Sequence, residues 1–228
     1  MMRQAVELIV FDWDGTLMDS AARIVSSLRV AASRVGLPRL PDARLRSIIG
    51  LGLDAAMADL YPLASVEQER ELVRAYRQHF MHECQEEERL FEGVEQVLDS
   101  LNRTVPWLAV ATGKSRAGLD RALRATGLGH YFPFTRCADE APSKPNPQML
   151  EDIMHSVAAE PASTLMVGDT EFDLAMAREA GVRSVGVTYG VHPSSRLLSQ
   201  EPLCLIDTIS QLPTLVEQLG LSAQGQGI

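Results

Sequence analysis

The chain has 228 residues, 46% of them hydrophobic, and a formal net charge of −9. That length supports one sizeable core, or a core that carries a smaller inserted domain. The acidic balance argues against a nucleic-acid groove or an anionic membrane surface as partner, although a bound cation can invert the field locally for a small anionic substrate. Cys84, Cys137 and Cys204 are widely spaced with no CxxC pair, so neither a disulfide framework nor a zinc site is expected. A reducing cytoplasm is the expected setting. The first apolar run is short, contains Glu7 and ends in Asp12, which does not read as a secretory leader. No stretch approaches the length of a bilayer span.

In chain order, the first apolar run covers residues 5–11 and ends in Asp12-Trp13-Asp14. On an extended strand, residues i and i+2 share a face about 6.5 Å apart. Two unit charges at that distance repel by roughly 2.5 kcal/mol at an effective dielectric near 20. A cation or a shared proton would relieve that repulsion. From about Ser20 to Arg89 no strand is expected. Ser20 reads as the N-cap of a helix ending near Gly36, and Pro41-Asp42 opens a second helix. Gly50-Leu51-Gly52 interrupts it, and Asp54 starts a third. Ser65 caps a fourth, with Val73, Tyr76, Phe80 and Cys84 on one face, read as core packing. Glu86-Glu87-Glu88 reads as a solvated helix end beside a hinge. The expected division is therefore a sheet core begun by residues 1–18, a helical insert over 19–89 and the remainder of the core over 90–228.

Further apolar runs at 107–111, 164–167, 184–188 and 203–206 alternate with helical patterns. One more strand is placed between Thr112 and the loop Ala141–Pro147. Alternating strand and helix predicts an α/β fold with a mostly parallel sheet. The small polar tail Ser222–Gly227 is expected to fray. The tetrapeptide Thr112-Gly113-Lys114-Ser115 resembles the end of a phosphate-binding P-loop, but Leu108 stands where the first glycine belongs. GxGxxG is absent too, so neither a nucleoside-triphosphate loop nor a dinucleotide loop is read here.

Parallel sheets bind ligands outside the carboxyl ends of their strands. The first strand delivers Asp12 and Asp14 to that edge, and the second delivers Thr112 and Gly113. The strand at 164–167 delivers Asp169, with Asp173 one helical turn further, and the loop before it delivers Lys144. Singly, each has an ordinary explanation. An aspartate or threonine at a strand end is usually a cap or turn residue, and a loop lysine is usually solvated. Together they form a set suited to a hard divalent cation and a phosphoryl group, and aspartate oxygens suit Mg²⁺.

These residues carry a resemblance. "DWDGT" at 12–16, Thr112, Lys144 in "SKPNP" and "GDTEFD" at 168–173 resemble, in order and spacing, the four motifs of the haloacid dehalogenase-like superfamily. The helical insert between the first two is similar to the caps of its phosphoglycolate phosphatase-like branch. The resemblance implies a Rossmann-like core with an all-helical cap. It implies that Asp12 attacks phosphorus and that Asp14 serves as general acid and then base. It further implies Mg²⁺ held by Asp12, the Asp14 main-chain carbonyl and Asp169. Asp173 would act on the metal through water, or on Lys144. Thr112, Gly113 and Lys144 would hold the phosphoryl oxygens. Trp13 should point away from the metal. The loop glycines Gly50 and Gly52 allow close approach to the site and are candidates for reading the leaving group. The basic residues Arg23, Arg29, Arg44 and Arg46 of the insert are candidates for the same role, although most of them are expected to be solvated. The implied activity is phosphomonoester hydrolysis on a small phosphorylated metabolite, with no nucleic acid or membrane as partner. A phosphomutase of the same fold is the first alternative, disfavoured by Gly168 before Asp169, where mutases of this branch tend to carry an acidic residue. Phosphonate hydrolysis is disfavoured because residues 20–88 contain no lysine. A catalytically silent binding module is disfavoured by the intact Asp12, Asp14, Lys144 and Asp169.

Overall fold

The computed structural model describes residues 5–224. Strand β1 (Leu8–Phe11) is buried along its whole length. Leu8 and Val10 pack on one side of the sheet with Met149 and Ile153, and Ile9 and Phe11 on the other with Leu98 and Leu101. Two covered faces explain why this strand is a continuous apolar run and not an alternating one. Beyond Phe11 the chain turns, and the Trp13 carbonyl accepts hydrogen bonds from the Leu17 and Met18 amides at 3.0 and 2.9 Å. Trp13 itself is buried in the core, edge-on to Phe132.

A two-residue strand β2 (Met18–Asp19) leads into helices α1 (Ala21–Val35), α2 (Asp42–Arg46), α3 (Leu53–Leu60) and α4 (Val66–Gln78). A π-helical turn, His79–Glu83, extends α4, and strand β3 (Arg89–Leu90) brings the chain back. β3 pairs antiparallel with β2, Met18 opposite Leu90 and Asp19 opposite Arg89. This ribbon, absent from the sequence reading, ties the two crossings of the chain together. The helices enclose a core of their own, which includes Leu28, Leu45, Ile49, Met57 and Leu72. Ser65 caps α4 through a capping box with Gln68, as its position predicts. Ser20 precedes α1 but makes no side-chain cap, because its hydroxyl is used elsewhere.

The rest of the chain alternates as expected: α5 (Val94–Asn102), β4 (Trp107–Thr112), α6 (Arg116–Thr126), β5 (Phe134–Cys137), α7 (Gln148–Val157), β6 (Thr164–Gly168), α8 (Glu171–Glu179), β7 (Arg183–Val187), α9 (Ser194–Leu198), β8 (Cys204–Ile206) and α10 (Leu212–Gln224). All six long-range strands run parallel in the order β5-β4-β1-β6-β7-β8. β5 is an edge strand, which accounts for the polar Thr135 and Arg136 in a position without an apolar run. Helix α10 continues through Ser222–Gln224, where fraying was expected, and Gly225-Gln226-Gly227 lie outside the described residues.

With β4 on one side of β1 and β6 on the other, the strand order reverses at β1, and a crevice opens at the carboxyl ends there. The loop between α2 and α3 sits directly on it. Gly50 has φ 103°, a conformation side chains rarely adopt. A Cβ on Gly113 would lie 2.4 Å from the Leu51 carbonyl oxygen and 2.7 Å from that of Gly50. The Gly52 amide donates to Ser143 Oγ at 2.8 Å. His192 Nδ1 accepts from the Glu171 amide, which leaves Nε2 to donate to the Ser47 carbonyl at 3.1 Å. Gly113→Ala should therefore lift this loop from the sheet edge. Amide hydrogen exchange over residues 47–53 is expected to accelerate while protection in β1, β4 and β6 persists, and unchanged exchange in the loop would contradict this packing.

Candidate active site

Lys144, fully buried, is held between two carboxylates. Its Nζ donates to Asp12 Oδ1 and to Asp173 Oδ1, each at 2.6 Å. All three side chains are at most 1% exposed. Burial pulls the Lys144 ammonium down, but the two carboxylates outweigh it and hold the group charged. Burial pushes the Asp12 carboxyl well above the usual carboxylate range, and Lys144 opposes that shift without cancelling it. Asp173 Oδ2 is used as well: it accepts from the Thr170 amide at 3.0 Å and the Thr170 hydroxyl at 2.7 Å, closing the capping box of α8. The cap of that helix and the support of Lys144 are thus one side chain.

Asp169 stands at the end of β6. Its Oδ1 accepts from Thr16 Oγ1 at 2.9 Å and its Oδ2 from the Val191 amide at 2.8 Å. Burial, and then the charge of Asp173, push it up to about 7. Oxygens of Asp12, Asp169 and Asp173 lie within 4.8 Å of one another. Asp12 Oδ2 is buried with no hydrogen-bond partner. A buried, unpartnered carboxylate oxygen beside further hard oxygen donors fits Mg²⁺. Asp173 is the poorest ligand of the three, since one of its oxygens is already taken by the Lys144 ammonium and the other accepts two hydrogen bonds from Thr170.

Asp14 faces elsewhere. Ser20 Oγ donates to its Oδ1 at 2.5 Å, and Lys114 Nζ lies 2.9 Å from the same atom. The expected repulsion between Asp12 and Asp14 is therefore avoided in two ways. The chain has left the strand by Asp12, so the two need not share a face, and each carboxylate has its own ammonium. Lys114 is a residue that the sequence reading missed. Its signal was the Thr112-Gly113-Lys114-Ser115 stretch, set aside once the P-loop pattern failed. It is nearly buried, over the Phe80 ring, with Glu88 3.9 Å away. Thr112, also buried, accepts from the Lys114 amide at 3.2 Å through its Oγ1.

A cavity of ≈330 Å³ lies between this edge and the helices. Asp12, Asp14, Gly50 and Gly113 border it. Gly52 does not, its amide being held by Ser143. Tyr76 and Phe80, expected as mere packing, are stacked at 5.6 Å and form part of the cavity wall. Cys84 lies past the π-helical turn, off the helix face assigned to it. Arg23 is buried, not solvated: it donates to the Phe80 and Glu86 carbonyls and approaches Glu88 at 3.5 Å. Glu88, expected in a solvated helix end, is mostly covered and lies in the irregular segment before β3, while Glu86 and Glu87 are exposed. Arg29 and Arg44 pair with Asp42 and Asp59 on the surface, and Arg46 is exposed.

A parallel sheet whose switch point gathers an acidic cluster and a buried lysine under a helical cover defines a hydrolase of phosphoryl or related groups. Residues 9–187 match the family described as haloacid dehalogenase-like hydrolase. The chain is 38% identical to a probable phosphatase, IndB, of Dickeya dadantii (strain 3937), over 90% of this chain and 91% of that one. It is 31% identical to a phosphoglycolate phosphatase of Vibrio vulnificus (strain YJ016), over 95% and 98%. A solved structure described as a predicted phosphoglycolate phosphatase from Haemophilus somnus 129pt superposes with a TM-score of 0.84 at 25% identity, over 92% of this chain and 97% of that one. The chain belongs to the haloacid dehalogenase-like hydrolases, and within them it is a phosphatase.

Removing Lys144 leaves two buried carboxylates without their cation. Lys144→Ala should therefore cost stability as well as turnover, by about 3–5 kcal/mol in urea unfolding near pH 8. The cost should shrink near pH 5, where the freed carboxylates can take up protons. Equal stability of variant and parent at both pH values would show that the ammonium is not needed where it is buried.

Proposed function

We propose that the protein is a Mg²⁺-dependent phosphomonoesterase that works through an aspartyl-phosphate on Asp12 and acts on a small phosphorylated metabolite in the cytoplasm. The observation that carries this is the unpartnered, buried Oδ2 of Asp12 beside Lys144 and Asp169. Asp12, the Asp14 main-chain carbonyl and Asp169 would hold the metal. When bound, Mg²⁺ would neutralise charge on the phosphoryl oxygens and on the carboxylates around them. One Asp12 oxygen would lie on the metal and the other attacks phosphorus; without metal, Oδ1 is held by Lys144 and Oδ2 has no partner. Lys144, Thr112 and the Gly113 amide take the phosphoryl oxygens, and Lys144 balances charge as it builds. Asp14 has Oδ1 fixed by Ser20 and Lys114, so Oδ2 is the oxygen through which it would exchange protons. Asp14 gives a proton to the leaving oxygen, then accepts one from the water that cleaves the acyl phosphate. The helical segment 19–89 acts as a cap that closes over the site to exclude water, with β2 and β3 as its hinge. The free cysteines Cys84, Cys137 and Cys204 support the cytoplasmic setting.

Phosphate release should vanish with a chelator and return with Mg²⁺, and Asp12→Asn should abolish it for every ester. Undiminished hydrolysis after thorough metal removal would overturn the reading. The pH dependence follows from burial. Asp169 is raised to about 7 in the folded protein, and Asp12 is raised too. Such groups stabilise the metal-free fold below their unfolded pKa, about 3.9, and that contribution is lost as pH rises to about 7. Magnesium needs the ionised carboxylates. Its affinity should therefore fall as pH drops below about 7, and its thermal stabilisation should be larger at pH 8 than at pH 5.5, as read by calorimetry and by melting.

A further inference from the structure

We propose that the substrate's leaving group is a bulky apolar alcohol, and not a small carboxylate such as glycolate. This rests on the phosphatase reading above and names the substrate class of the same site. The ≈330 Å³ cavity that begins at Asp12 is of the size that takes a ligand with many heavy atoms. A glycolate-sized group would leave most of it to water. Beyond the two aspartates, much of its wall is apolar and buried: Ile24, Leu28, Ile48, Ile49, Ala56 and Phe80 line it, each no more than 8% exposed. They come from α1, the segment after α2, α3 and the π-helical turn, so several parts of the helical unit turn apolar side chains towards one space.

The charges on the lining exclude a second anion. Asp54 and Asp139 join Asp12 and Asp14 there. The cations on the lining are Lys114 and Arg77. Lys114 is committed to Asp14 at 2.9 Å. Arg77 is exposed on α4, where it also lines a surface groove with Arg70 and Arg74. A carboxylate on the leaving group would thus enter an apolar, net acidic space and find no buried, uncommitted cation among the described residues. Tyr76 and Ser115 bring hydroxyls to the lining, and that of Tyr76 makes no hydrogen bond among the described residues. It can take one polar atom of an otherwise apolar group. The result is a site whose phosphoryl end is fixed by charge and whose far end selects by burial.

The test uses the full chain with saturating Mg²⁺ and a series of primary phosphate esters whose alcohols have similar basicity. Methyl, ethyl, butyl, hexyl and benzyl phosphate are compared with phosphoglycolate by kcat/KM. Each added methylene should multiply kcat/KM by about two- to fourfold until the cavity is full, and benzyl phosphate should exceed phosphoglycolate by at least about tenfold. Ala56→Leu, which fills the cavity, should lower the hexyl-to-methyl ratio by about tenfold. Calorimetry on the unmodified chain gives a readout free of turnover and of variant folding: 2-phenylethylphosphonate should bind at least about tenfold more tightly than 3-phosphonopropionate. A flat alkyl series, or phosphoglycolate as the faster ester and 3-phosphonopropionate as the tighter ligand, overturns this inference and leaves the phosphatase reading standing. Absence of phosphate release from all the esters overturns the phosphatase reading, and this one with it.

Discussion

The site is held by an ammonium in a place without water. Lys144 sits between Asp12 and Asp173, and none of the three has solvent to soften its charge. Such a cluster is costly to bury and is tolerable only with its hydrogen bonds complete. The fold supplies all of them but one. β1 ends one residue before Asp12, the loop before α7 carries Lys144 inward, and the first turn of α8 fixes Asp173 through Thr170. Three segments far apart in the chain must meet within hydrogen-bond distance for any one of them to be stable there. The oxygen left over, Asp12 Oδ2, is the one a phosphorus atom or a cation can reach.

The second aspartate follows a different rule. Asp14 lies in the turn beyond β1, where the chain crosses towards the helices, and its partners come from both units. Ser20 begins α1 and Lys114 follows β4, with Phe80 and Glu88 of the helical unit close to that lysine. The placement of Asp14 therefore depends on the helices being docked, whereas the Asp12 cluster is built from the sheet unit alone. On the mechanism proposed above, a proton carrier placed only when the helices are docked would suit a reaction that must exclude stray water. At its tightest point the docking is backbone on backbone, Gly50-Leu51 against Gly113, with no room there for an added carbon.

Much of this was legible in the sequence, for physical reasons. Central strands in a parallel sheet are apolar throughout, so β1, β4 and β6 announce themselves, and ligands gather at their ends. That is enough to nominate Asp12, Asp14, Thr112, Lys144 and Asp169 and to bring them to one edge. The ribbon of β2 and β3 was invisible because two residues carry no period. β5 has no apolar run because it lies at the sheet's edge. Ser20 has the residue type of a helix cap, and only the fold reveals that Asp14 claims its hydroxyl. Tyr76 and Phe80 show the limit of periodicity: it finds an apolar face but not whether that face meets packed atoms or a cavity. Lys114 lies in a stretch that resembles the end of a P-loop, and nothing in that resemblance points to a partner in Asp14. Arg23 looked solvated because its partners, the Phe80 and Glu86 carbonyls, are backbone atoms that sequence cannot place.

On the proposed mechanism the two aspartates divide the work, Asp12 bonding to phosphorus and Asp14 moving protons. Rapid-quench kinetics of Asp14→Asn with p-nitrophenyl phosphate and Mg²⁺ tests it most directly. An aryl leaving group needs little protonation, so Asp12 should still be phosphorylated, and the water step should then stall for want of its base. The account predicts a burst of nitrophenol stoichiometric with protein, slow turnover after it, and a phosphorylated peptide that contains Asp12. Slow release with no burst and no phosphorylated protein would contradict it and would give the Asp14 side chain another role.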